Sequence, residues 1–225
     1  VTAISFKEST RHFKRAKKLV LTGNPIRSEI LNSDRVSARK KLKITQDIPL
    51  VVIFGGSIGA EKINKTAVDM ILKHYDNNRF NIILATGERE YEKVTSMIDS
   101  NKYSGLSIVP YIFDMGDVLA AADLVVCRAG AITMSEISAL GVPSLIIPSP
   151  YVTANHQEYN ARALEGQGAA VVILEKDLNE DILYQQMTDL IKNKEQRNKM
   201  SRNAKKIAIT NAVEKLYSVV EEVMK

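Results

Sequence analysis

The chain has 225 residues, 45% apolar and 25% charged, enough for one sizeable α/β domain with a small appendage. No apolar run approaches the ~20 residues needed to cross a bilayer, the polar opening VTAISFKES does not read as a signal peptide, and a single cysteine, Cys127, excludes an internal disulfide and suits a buried core thiol. The net charge of +5 gathers in the first 43 residues and in KNKEQRNKMSRNAKK. Such runs suit solvated helix faces, an anionic membrane surface or phosphorylated ligands. Nucleic acid is not expected, because no aromatic residues interleave with the charge.

Residues 1–24 stand apart from the rest of the chain. VTAISF reads as a strand, KESTRHFK as a short helix or turn, and KLVLTG as another strand, closed by the turn signal Gly23-Asn24-Pro25. The first residue is Val1 rather than Met, so the sequence reads as processed or excised from a longer protein, and 1–24 as the end of a preceding domain with a hinge after it. From residue 48 onward, short apolar strands alternate with amphipathic helices. The strands are expected at 49–54, 80–86, 106–110, 123–127, 143–147 and 170–174. The helices are expected at 60–75, 88–99, 115–121, 131–140, 154–166, 178–192 and 195–223, the last with an apolar stripe at Ile209, Val213, Leu216 and Val220. This alternation predicts a doubly wound, Rossmann-like α/β domain over 25–225 with a six-stranded parallel sheet covered on both faces.

Ligands of such sheets bind outside the carboxyl ends of the strands, which gathers the loops starting at 55, 87, 111, 128 and 148. The first of these is GGSIGA, opening a helix. A glycine-rich turn there serves either to hold an anion on free N–H groups and the helix dipole or simply to pack tightly, and Ser57 adds a hydroxyl donor. It is neither a Walker A motif nor a G-x-G-x-x-G fingerprint. In CRAGAITMSEISALG, small residues let a ligand approach the backbone. Glu136 there either accepts both hydroxyls of a ribose or merely complements the helix dipole. Ile112 comes just after a strand, where an apolar residue covers a flat base or tucks into the core. His156, Gln157 and Glu158 open a helix and suit sugar hydroxyls; His156 is a polar contact, a cap or a base without an evident acid partner, and His12 and His74 look uninvolved. No D-x-D metal clamp, zinc-spaced Cys/His cluster or G-x-S-x-G elbow occurs, so no metal or cofactor is expected.

Taken together, TGNPIR, FGGSIGA, VPYIFDM, CRAGAITMSEISALGVPSLIIPSP and NHQEYNARALEGQGAA closely resemble the carboxyl-terminal half of the MurG family, over about residues 1–222. These are bacterial transferases of the two-domain GT-B fold. They move N-acetylglucosamine from UDP-N-acetylglucosamine to lipid I, forming lipid II of peptidoglycan with inversion. The resemblance implies that this half is the donor domain, working at the cytoplasmic face of the membrane as a peripheral protein, in contact with anionic lipid. By it, Ile112 contacts uracil through its backbone and Glu136 holds the ribose. Ala131, Ile132, Thr133, Met134 and Ser135 form the surrounding helix start, Ser57 and its loop hold the diphosphate, Arg27 approaches from the domain junction, and Gln157 binds sugar hydroxyls. The family's amino-terminal domain, with its second glycine-rich loop, expected base and membrane-facing apolar patch, has no counterpart here. No catalytic residue is therefore expected in this chain, which reads as a fragment or a split subunit. Rival readings are another GT-B transferase, a UDP-sugar epimerase, or a non-catalytic nucleotide-sugar-binding module.

Overall fold

The computed structural model describes residues 1–7, 10, 13–45, 48–76 and 79–224. His12 and half of the 7–14 helix-or-turn segment lie outside the described residues. Strand β1 (Thr2–Ile4) and strand β2 (Leu19–Leu21) pair in parallel as a two-stranded sheet of their own, with Thr2 opposite Leu19. The N–H groups of Thr22 and Gly23 both donate to the Ile4 carbonyl, so the turn signal at Gly23 closes this small sheet.

Two short helices come next, α1 (Ser28–Leu31) and α2 (Arg35–Lys41), which the strand–helix alternation did not predict. Asp34 caps α2 by accepting from the N–H groups of Val36 and Ser37. On α2 the fully buried Arg39 donates to Asp123 at 3.1 Å and to the carbonyls of Ala121, Thr45 and Ile48. A buried guanidinium survives only with such a set of acceptors, and this one fastens α2 beneath the sheet.

The main sheet comprises β3 (Leu50–Phe54), β4 (Asn81–Ala85), β5 (Leu106–Val109), β6 (Leu124–Cys127), β7 (Ser144–Ile146) and β8 (Ala170–Val172). Its order is β5-β4-β3-β6-β7-β8 and every pairing is parallel. The helices are α3 (Glu61–His74), α4 (Glu88–Met97), α5 (Met115–Ala121), α6 (Ala131–Leu140), α7 (His156–Gly166), α8 (Glu180–Lys192), α9 (Lys194–Ile207) and α10 (Ala212–Met224). All five residues of β3 are buried, as a strand covered on both faces requires. Val51 and Ile53 join Ile82, Leu84, Leu124 and Val126 in the core shared with α3 and α8. Leu50, Val52 and Phe54 point the other way, joining Val125, Cys127, Leu119 and Ile137. Cys127 has no exposure, and burial pushes its thiol pKa up to about 12, so it is a core residue rather than a nucleophile.

The single helix expected at 195–223 is two. The chain leaves the helical conformation at Ala208 (ψ 137°) and re-enters at Ala212. Ile209 lies in this break, so it is no part of a continuous stripe. A Cβ placed on Gly23 would sit 2.8 Å from the Ile209 Cβ, so the break lets the chain pack against the turn after β2. Beyond it, Lys18 pairs with Glu222 of α10 at 2.5 Å. Val213, Tyr217 and Val220 of α10 are exposed. Among the described residues no helix is long and apolar enough to cross a membrane.

Candidate functional site

The strand order reverses between β3 and β6, and the loops leaving their carboxyl ends flank the resulting crevice. The glycines of the loop after β3 divide between tight packing and open backbone. Gly59 has φ +87°, and a Cβ there would lie 2.1 Å from the Thr86 carbonyl oxygen, so this glycine is a packing requirement against the turn after β4. The buried Asn64 of α3 donates to the same carbonyl at 2.8 Å and fixes the helix to that turn. Gly56 has φ +97° with nothing within 4 Å of its would-be Cβ, which leaves the backbone open to a ligand. Ala60 begins α3 without a side-chain cap, so first-turn N–H groups face the crevice unclaimed by a capping side chain.

Ser57 and Gln157 line one cavity of about 750 Å³ with the rest of the glycine loop, Lys62, Arg128 and Glu175. The Gln157 Oε1 accepts from the N–H groups of Ala129 at 3.2 Å and Ser149 at 3.0 Å. With the oxygen so engaged, the carboxamide orientation is fixed and its NH2 remains for a ligand. One turn on, Asn160 donates to the Ala129 carbonyl at 3.0 Å, so α7 grips the loop after β6 through both backbone groups of one residue. Arg128 pairs with Glu175 and donates to the Ile147 carbonyl at 3.1 Å, tying the ends of β6, β7 and β8 together. Lys65 is held by Asp69 at 2.7 Å, while Lys62 forms no ion pair among the described residues. Glu61 also lines the cavity and is paired with Lys93 at 2.5 Å, so among the described residues the lining carries three cations against two carboxylates, beside neutral donors and an uncapped helix start that suit an anion.

The remaining predicted residues lie outside the walls of that cavity. Gly130 begins α6 with no side-chain cap. Ile132 is exposed, Ala131 and Thr133 are half-buried, and Met134 is fully buried in the core, so its side chain is closed to any ligand. Asn24 donates to the Ala131 carbonyl at 3.2 Å and to the Ser135 hydroxyl at 3.0 Å, and receives the Ser5 hydroxyl at 2.6 Å. Ser135 thus serves the junction with residues 1–24. Glu136 is buried, with Arg27 at 3.4 Å; Arg27 also holds Glu29 at 2.9 Å. Burial pushes the Glu136 carboxyl above the usual range, Arg27 counteracts this, and Glu29 adds to it. Ile112 is 6% exposed with its side chain in the core, yet its backbone N–H and C=O have no partner among the described residues. An unpaired backbone edge on a buried residue is an invitation to a planar polar ligand.

His156 is exposed and its Nδ1 lies 2.9 Å from the Thr153 carbonyl, a local contact at the start of α7. His74 lies 2.5 Å from Asp181 and stacks on Tyr184, away from the crevice. Sequence reasoning missed Arg128, Glu175, Asn24 and Asn160. Arg128 directly succeeds a strand end and Asn24 sits in the turn signal, so both carried a local cue. Glu175 is 47 residues from Arg128 and carried none.

A family model described as the glycosyltransferase family 28 C-terminal domain matches residues 50–217. A protein of Acetivibrio thermocellus named UDP-N-acetylglucosamine–N-acetylmuramyl-(pentapeptide) pyrophosphoryl-undecaprenol N-acetylglucosamine transferase is 58% identical over 99% of this chain and 60% of its own length. One of the same name from Ruminiclostridium cellulolyticum is 50% identical over 99% of this chain and 61% of its own. A crystal structure of MurG from Acinetobacter baumannii superposes with a TM-score of 0.77 at 26% identity, covering 99% of this chain and 60% of that one. The chain thus spans about 60% of the length of these relatives. With three-quarters of its length inside the family model, the chain belongs to the glycosyltransferase family 28 C-terminal domain family.

Proposed function

We propose that this chain is the donor-binding half of a transferase that moves N-acetylglucosamine from UDP-N-acetylglucosamine to lipid I, forming lipid II. What carries this reading is the convergence of an open glycine loop, an uncapped helix start and a pre-oriented Gln157 carboxamide on one cavity. The chain in which they converge is 58% identical to a relative of that name. The diphosphate lies on the N–H groups around Gly56 and Ser57, with Lys62 and Arg128 nearby. Gln157 donates to a sugar hydroxyl, the backbone of Ile112 reads the uracil edge, and Glu136 accepts the ribose hydroxyls beside the start of α6. Charge builds on the departing UDP during transfer, and preorganised N–H dipoles stabilise it with no solvent to reorganise. Residues 1–24 belong with the remaining part of the whole protein, and residues 25–225 form the donor domain. The whole protein works at the cytoplasmic face of the membrane, in peripheral contact with anionic lipid, without nucleic acid.

Calorimetry tests the donor reading directly. UDP and UDP-N-acetylglucosamine are expected to bind equally well with and without a chelator, because backbone N–H groups and cationic side chains supply the positive field. No binding, or binding that strictly requires magnesium, contradicts the reading. The pH profile adds a second check. Ionised Glu136 accepts two hydroxyls and its protonated form does not, so UDP affinity falls as pH drops through the Glu136 pKa. The midpoint is expected above the ordinary 4.5 because burial raises that pKa. Phosphate protonation is separated out by running Glu136→Gln in parallel, whose profile is expected to lack the Glu136 step. Identical profiles for the two proteins refute the ribose role.

A further inference from the structure

A second cavity, of about 880 Å³, lies at the opposite edge of the sheet, where Pro49, Asp123 and Pro143 lead into β3, β6 and β7. One wall is a face of α9 whose polar residues are Lys194, Arg197, Asn198, Ser201 and Lys205, spaced at three and four residues like a helical stripe. Arg35 lines the same cavity. Among the described residues the lining thus holds four cationic side chains against one carboxylate, and that carboxylate is already committed. Asp123 accepts from Arg35 at 2.7 Å, from Arg39 at 3.1 Å and from the Leu50 N–H at 2.9 Å.

Two of the cations have structural work. Arg35 donates to the carbonyls of Ala121 and Ala122 at the end of α5, and Arg197 to those of Leu190 and Ile191 at the end of α8. Lys194 and Lys205 form no ion pair or hydrogen bond among the described residues. Lys205 crosses the end of α6, since a Cβ on Gly141 would lie 2.6 Å from its Cε. Burial holds Arg197 below the usual guanidinium range, and the charge of Arg35 pushes the same way against the opposing pull of Asp123. Closing helix ends requires neither an open cavity of this size nor two uncommitted ammonium groups beside two guanidiniums.

We infer that this cavity binds a phosphate-bearing anion of diphosphate size on Arg35, Lys194, Arg197 and Lys205, apart from the crevice at the other edge of the sheet. A charge-assisted network of this kind recognises phosphate oxygens whether they belong to a soluble molecule or to a lipid headgroup. The test is an amide NMR titration of the chain with inorganic pyrophosphate, comparing wild type with a K194Q/K205Q double variant. Both lysines are exposed, so the variant is expected to fold, and a thermal melt checks this. Saturable shifts are expected at Arg197, Asn198, Ser201 and Val142, with about tenfold weaker affinity in the variant. Shifts at Gly56 to Lys62 are expected to be the same in both proteins, which separates this site from the donor crevice. Linear, non-saturating shifts at α9, or an affinity unchanged by the double substitution, overturn the inference. Sedimentation with phosphatidylglycerol vesicles then identifies the source. Co-sedimentation released by pyrophosphate and lost in the variant supports the inference with a headgroup as ligand. Saturable pyrophosphate binding without co-sedimentation supports it with a soluble phosphate compound.

Discussion

Glu136→Ala is expected to weaken UDP binding by about 1–3 kcal/mol, the range for losing a charged hydrogen-bond partner, or roughly 5- to 150-fold in affinity. The fold is expected to tolerate the change, because Glu136 does little for it. Its carboxylate is buried, and its one ion pair among the described residues, to Arg27, is long at 3.4 Å. The sign of its pKa shift agrees. A carboxyl with a raised folded-state pKa binds its proton more tightly in the folded than in the unfolded chain. Its contribution to stability is present below the unfolded value of 4.5 and is lost as pH rises through the folded value. At neutral pH the ionised side chain is therefore a net cost to the fold. Glu136→Gln is expected to leave the melting temperature unchanged or raised at pH 7, while UDP binding weakens. Removing Glu136 also leaves no orphan, since Arg27 is half-exposed and keeps Glu29 at 2.9 Å. A ligand lacking both ribose hydroxyls completes the test: a 2′,3′-dideoxyribose analogue is expected to lose much less affinity on substitution than UDP does. Equal losses for the two ligands eliminate the ribose assignment.

A buried acid retained against the stability of the fold is the kind of local inconsistency that marks a functional position. It also bears on how the fold and the site were legible. The main sheet was readable to within one or two residues, because β3 and β6 are unbroken buried apolar runs and β4 is apolar after Asn81, each short and alternating with helical patterns as parallel strands require. The rule that ligands bind outside the carboxyl ends of the strands then gathered the loops, while the strand order that places the crevice between β3 and β6 came only with the structure. What escaped was set by contacts distant in sequence. The α9–α10 break depends on Ile209 meeting Gly23, and nothing in AITNA alone demands it beyond ordinary helix-weak residues. Helices α1 and α2 are short, and α2 is secured by Arg39 reaching Asp123, 84 residues away. In the crevice, glycines and the opening of α6 announced themselves by local composition. Gln157 was expected as a sugar contact, but its hold on the loops after β6 and β7, like the pairing of Glu175 with Arg128, became visible only through the fold. Ser135 shows the converse. Its position at a helix start marked it for a ligand, yet its hydroxyl is engaged by Asn24 of the junction.

The largest effect expected of this chain is the one it does not produce. Transfer of N-acetylglucosamine needs the acceptor hydroxyl held near the anomeric carbon, with a base to take its proton. Positioning alone is worth about 7–11 kcal/mol, and a general base adds roughly 10²- to 10⁴-fold. The donor crevice supplies neither. Among the described residues no histidine lines its cavity. His74 is committed to Asp181, and the Nδ1 of His156 to the Thr153 carbonyl. Of the two carboxylates on the wall, the buried Glu175 is paired with Arg128 and the exposed Glu61 with Lys93 at 2.5 Å. The chain spans about 60% of its relatives' length, and the proposed division of labour assigns the facing wall to the rest of the whole protein. The 225-residue chain is therefore expected to bind UDP-N-acetylglucosamine and to transfer none of it. The measurement is incorporation of radiolabelled N-acetylglucosamine into a lipid I analogue, with donor binding verified by calorimetry in the same preparation. Binding without incorporation is the expected result. Robust turnover by this chain alone refutes the division of labour. It would make the free Nε2 of His156, one residue before Gln157, the first base to test by His156→Ala.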